Sequence, residues 1–140
     1  MILFPASTMA AADFAAVMAL ASRVYRTWEP AFAAEAEAAA VRAWDWLMQH
    51  PQFIGFENPA GCNTGGYEDT SDLDERLWAA AELYVTTGNA AYLDKLEEYL
   101  KTNENPTDMG WGDVSGLAGL SCLFGTKKKE GKETQRFQVC

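Results

Sequence analysis

Residues 64–88 read TGGYEDTSDLDERLWAAAELYVTTG. Five acids, Glu68, Asp69, Asp72, Asp74 and Glu75, fall within eight residues, and an apolar helical pattern follows at once. Carboxylates crowded in this way repel one another and raise each other's pKa unless a cation neutralises them. A hard cation such as Ca2+ takes about six to eight oxygens from carboxylates and backbone carbonyls on an irregular loop. The run from Asp69 to Glu75 offers that supply. The competing reading is a helix start, with Asp72 as N-cap and Glu75 completing a capping box at N3. Acids also suit a helix N-terminus through the macrodipole. The residues alone leave both readings open.

Outward from this stretch, punctuation divides the chain into five helices. The helix after the acidic turn opens at Ser71 or Asp72 and closes at Gly88, a favourable C-cap. The next begins at Asn89 and runs to about Lys101, so the two form an αα-hairpin across a Gly-Asn turn. Upstream, one helix runs from about Ser7 to Arg26, with Ser7 or Thr8 as N-cap. Phe14, Val17, Met18, Ala21 and Val24 define its apolar side by helical spacing. A second starts after Pro30, a residue suited to the first helical position, and ends near His50 before Pro51. Trp44, Leu47 and Met48 give it an apolar stripe. A fifth begins near Asp113 and reaches about Phe124. The loop from Pro51 to Ser71, rich in Gly, Asn and Pro, is long enough to suggest function.

The expected fold class is therefore all-α, built of antiparallel helical hairpins. A solenoid and a closed α/α toroid both fit. No period near ~34 residues marks a tetratricopeptide array. Alanines, dense in the first two helices, permit close helix approach.

At 140 residues the chain has the size of one domain, and 49% of it is apolar. Its net charge of −9 argues against a nucleic-acid partner, which needs clustered Lys and Arg. No stretch reaches the roughly 18 uncharged apolar residues of a membrane span. The N-terminal segment lacks the basic region of a signal peptide, and Asp13 interrupts its apolar run. Cys62, Cys122 and Cys140 form no CxxC pair, and with His50 alone no zinc spacing exists. The cysteines read as small buried hydrophobes or as part of a loose tail, and His50 as a helix-terminal cap. The last fifteen residues, TKKKEGKETQRFQVC, turn locally basic and lose apolar periodicity. They read as a solvated or disordered tail, or as a remnant foreign to the fold.

The stretches STMAAADFAAVMALASRVYR, AAVRAWDWLMQHP, GGYEDTSDLDERLWAAAELYVTTGNAAYL and MGWGDVSGLAGL resemble family 9 glycoside hydrolases. These are cellulases, mostly endoglucanases, built as an (α/α)6 barrel. The resemblance covers residues 1–125 in the family's order and leaves 126–140 as the basic tail. It implies part of an (α/α)6 toroid that belongs to an enzyme cleaving β-1,4-glucan such as cellulose, with inversion, outside the cell. It also implies a general base from a DAGD-type motif and a general acid from a glutamate in an NE-containing motif. Neither motif is present, so the expectation is a partial catalytic domain that is inactive alone. Carried across residue by residue, calcium ligands would be Asp74, Glu75 and Asp113, with Ser71 or Thr70 contributing oxygens and Asp69 a further candidate. Some members of the family have Trp-Asp where this chain has Trp111-Gly112-Asp113, so the family pattern holds least closely at Asp113.

Sugars offer apolar faces to aromatic platforms. Tyr67 resembles a position lining the family's cleft, and Trp111 is a second candidate for substrate binding. Trp44, Trp46, Trp78, Tyr84 and Tyr92, at helical spacing, read as core, as do Met9 and Met18. Two other classes compete: a non-catalytic helical module binding a polysaccharide or a protein, and a small hydrolase assembled from several copies. Helices taken from a closed ring should expose apolar faces and self-associate.

Overall fold

The computed structural model describes residues 4–64 and 69–125. Among them the chain forms five helices: α1 Thr8–Tyr25, α2 Pro30–Gln49, α3 Leu73–Thr87, α4 Ala90–Thr102 and α5 Ser115–Gly125. No strand occurs among the described residues. Tyr67, Cys140 and the basic tail lie outside them.

The helix ends follow the chemistry of their caps. Ser7, extended at φ −120°, accepts from the Ala10 amide and starts α1. Pro30 opens α2, where its missing N–H costs nothing. Gly88 ends α3 at φ +71°, a left-handed conformation that favours glycine, and donates its N–H to Tyr84 O at 2.8 Å. Asn89 then caps α4 by accepting from the Ala91 amide. The α3–α4 hairpin therefore turns on two residues. α5 starts at Ser115, two residues later than the sequence suggested, because Asp113 spends its side chain on the turn that precedes the helix: its Oδ1 accepts from Ser115 N at 2.8 Å.

Packing differs from expectation on α1. Its buried face is Ala12, Ala15, Ala16, Ala19 and Ser22, whereas Phe14, Val17 and Val24 are 48%, 48% and 59% exposed. Side chains this small let α1 approach both α2 and α3 closely, and close approach buries more backbone than a ridge of large residues would allow. The bulky apolar residues consequently face away from the helices of this chain. Leu120, Leu123 and Phe124 of α5 are exposed as well, and Leu120 and Phe124 share a groove with Leu20 and Val24 of α1.

α3 is the central helix, touching α1, α4 and α5 and, more lightly, α2. Leu77, Ala79, Ala80, Ala81 and Leu83 are fully buried in it. Trp44 and Tyr92 meet edge to face at 5.5 Å inside the core, while Met18, Trp46, Trp78 and Tyr84 pack against that core partly buried. Cys122 is buried and Cys62 half-buried. No helix among the described residues is long and apolar enough to cross a membrane.

Candidate functional site

The loops that follow α2 and precede α5 gather several helix ends. Thr8 donates its amide to Ile54 O (2.9 Å) and accepts from Ile54 N (3.1 Å), which ties the start of α1 to the loop after α2. Arg76, buried in α3, reaches the other end of that loop. It donates to Leu47 O and His50 O, two carbonyls at the end of α2, and its Nε lies 2.9 Å from Asp72. His50 itself closes α2, with Nδ1 2.7 Å from Trp46 O and its ring stacked on Trp46.

The acidic turn sits among these ends. Asp72 is the N-cap residue of α3 but makes no side-chain cap bond, because its carboxylate faces Arg76. Ser71 Oγ takes the Leu73 amide (3.2 Å), and Asp69 Oδ1 takes the Ser71 amide (3.2 Å). Asp74 and Glu75 fall on the first turn of α3 and are only 7% exposed each. Carboxylate oxygens of Asp69, Asp74 and Glu75 lie within 4.8 Å of one another. The Asp74 Oδ2 also accepts from Val114 N at 2.8 Å, which brings the loop before α5 onto the turn. Asp113, one residue earlier, is outside this trio and is used at the start of α5. Trp111 is 90% exposed.

Electrostatically the turn is strained. Burial is the largest influence on Glu75, followed by its hydrogen bond to Asp74 and the Asp74 charge; together they push its carboxyl up from the ordinary 4.5 to about 9. Glu75 Oε2 is buried with no hydrogen-bond partner among the described residues. Asp13, on α1, is also raised, first by burial and then by the Asp74 charge, and its Oδ1 is buried and unpartnered among the same residues. No ion pair involves Asp13, Asp69, Asp74 or Glu75 among the described residues. Three hard oxygen donors, one of them an orphaned buried atom, form a donor set fitted to a divalent cation.

Two contributors were missed in the sequence. Arg76 carries no motif, although an Arg four residues after an Asp on one helix hints at a pair. Asp13 had a signal, an acid within an otherwise apolar helix, which was read only against a signal peptide. The single Asn-Glu dipeptide, Asn103-Glu104, follows α4: Asn103 donates to Ser115 Oγ at 2.7 Å, and Glu104 is exposed.

The sequence matches the family described as glycosyl hydrolase family 9 over residues 3–138, and the chain belongs to that family. It is similar to a cellodextrinase of Butyrivibrio fibrisolvens, with 36% identity over 136 residues, covering 87% of this chain and 25% of the relative. Endoglucanase D of Acetivibrio thermocellus is 36% identical over 124 residues, covering 86% and 19%. The fold superposes on a thermostable endoglucanase from Alicyclobacillus acidocaldarius with a TM-score of 0.78 and 36% identity, covering 89% of this chain and 24% of that one. A structure of AaCel9A in complex with cellobiose-like isofagomine matches equally well. The helical hairpins are thus part of an (α/α)6 toroid, and the chain spans about a quarter of the length of these relatives.

The raised pKa of Glu75 has a sign that can be measured without divalent cations. A carboxyl held above its unfolded value contributes stability fully present below about pH 4.5 and lost as pH rises through about 9. In chelator, the urea midpoint should fall between those limits, with a slope of at most about 1.4 kcal/mol per pH unit. Glu75→Gln should flatten the profile. A midpoint rising with pH over that range would contradict it.

Proposed function

We propose that these residues form part of the catalytic domain of an endoglucanase that hydrolyses β-1,4-glucan such as cellulose, acting outside the cell by inversion. Their part is scaffold and cation turn; the groups that transfer protons are not among them. Family membership supports the substrate class, as do the relatives named endoglucanase and cellodextrinase. One observation carries the division of labour. Inverting cleavage needs two carboxyl groups about 6.5–9.5 Å apart, with room between them for sugar and water. The turn holds its three within 4.8 Å, a spacing that suits an ion and leaves no place for a scissile bond.

The 140-residue chain should therefore release no reducing sugar from carboxymethylcellulose. A general base and a general acid each contribute about 10²–10⁴-fold; no DAGD-type motif is present, and the single Asn-Glu dipeptide, Asn103-Glu104, stands outside any resemblance to the family's acid motif. Turnover that a single substitution of Asp69, Asp74 or Glu75 abolishes would sink the proposal.

The cation is Ca2+, held by Asp74, Glu75 and Asp69 with oxygens from Ser71 and, through the loop before α5, Asp113. Orphaned Glu75 Oε2 supports this over a bare helix start. Binding only the folded state, Ca2+ at a hundredfold excess over its Kd adds about 2.7 kcal/mol. Thermal melts of the parent should separate between calcium and chelator, and those of Asp74→Asn should coincide. Superimposed parent curves would leave the acids as a helix start.

A second copy of the chain is the proposed occupant of the apolar groove between α1 and α5, where Leu20, Val24, Leu120 and Phe124 face outward. Contiguous apolar surface of this kind drives association. Sedimentation at tens of micromolar should show species heavier than 15.4 kDa; a single sharp monomer boundary would exclude it.

A further inference from the structure

We propose that Asp13 of α1 is a fourth carboxylate of the cation site, acting on the bound ion through its charge; this deepens the calcium reading and depends on it. The argument begins with burial. Asp13 Oδ1 and Glu75 Oε2 are both withdrawn from solvent without a hydrogen-bond partner among the described residues. They belong to two helices that pack directly on each other. Asp13 borders the Ala12 and Ala16 stripe through which α1 is buried, and Asp74 is close enough to act on the charge of both acids.

An unpartnered buried carboxylate is costly, and two that face one charged neighbour are costlier still. Among the described residues no ion pair relieves them. Arg76 is committed to Asp72 and to the carbonyls of Leu47 and His50, and Arg23 to Glu82 and Thr86. A divalent ion at the turn relieves Asp74, Glu75 and Asp13 together. The extra negative charge raises affinity for a divalent over a monovalent ion. It also couples occupancy of the turn to the packing of α1 on α3, so the ion fastens the first hairpin to the second. Residues around a metal that do not themselves ligate it commonly set affinity in this way.

The test uses the 140-residue chain as parent, Asp13→Asn and Asp13→Glu, with calorimetric titration of CaCl2 and thermal melts in chelator. Asp13→Asn should bind Ca2+ roughly ten- to a hundredfold more weakly, yet melt above the parent in chelator, because a repelled charge is gone. Asp13→Glu should keep affinity within a few-fold. Opposite signs in the two conditions are what a merely structural residue does not produce. If the parent binds Ca2+ and Asp13→Asn binds it equally, the role of Asp13 is overturned while the calcium reading stands. If the parent binds none, the calcium reading falls and this inference with it. If Asp13→Asn fails to fold in chelator while Asp13→Glu folds, Asp13 serves the fold and not the ion.

Discussion

α3 is buried on nearly every side and still carries four charged residues inward: Asp74, Glu75, Arg76 and Glu82. A helix in that position must satisfy each of them, since a buried charge without a partner is among the most destabilising features a fold can hold. Two of the four are settled within the chain. Glu82 pairs with Arg23 of α1 and also accepts from Trp78 Nε1 and Ser121 Oγ, so one carboxylate fastens α1 and α5 to α3. Arg76 pairs with Asp72 and holds the carbonyls of Leu47 and His50 at the end of α2. The other two charges lie at the N-terminal end and are not neutralised by any side chain among the described residues.

This asymmetry sets the acidic turn apart from an ordinary helix start. An N-cap needs one side-chain acceptor aimed at a free amide. Here Ser71 supplies that acceptor for Leu73, and the N-cap residue Asp72 turns to Arg76 instead. Capping has been delegated, and Asp69, Asp74 and Glu75 are surplus to it. The macrodipole of α3 favours acids at this end by about 0.3–1 kcal/mol each when exposed, too little to offset burial of the Asp74 and Glu75 carboxylates. With no cation present the Glu75 carboxyl meets that cost by keeping its proton, its pKa pushed up to about 9.

The boundaries of the helices were legible because each depends on one or two residues with strong local preferences: Ser7, Pro30, Gly88 and Asn89. The buried face of α1 was not. Helical periodicity weights large apolar residues, and it pointed to Phe14, Val17 and Val24; the helix instead buries its alanines, whose value is the close approach they permit to partners far away in sequence. The site was half legible for the same reason. Asp69, Asp74 and Glu75 lie close in sequence and announce themselves, whereas Asp13 comes near Asp74 only through the packing of α1 on α3. Asp113, a ligand candidate by family likeness, has Oδ1 on the Ser115 amide at the start of α5, and its neighbour Val114 makes the contact to Asp74. Tyr67 lies outside the described residues.

The geometry of that last contact ties the turn to the rest of the chain. Val114 N donates to Asp74, Asn103 donates to Ser115 Oγ, and Gly116 donates to Asp108 O at 2.8 Å. A Cβ at Gly116 would stand 3.0 Å from the carbonyl oxygens of Thr107 and Asp108, so the close approach of the loop before α5 to that helix favours a residue without a side chain there. The loop that carries Trp111 and Asp113 is thereby fixed at both ends, to α4 and α5 through Asn103 and Gly116 and to α3 through Asp74. Asp74 thus anchors, through the Val114 amide, the same loop that carries the exposed ring of Trp111.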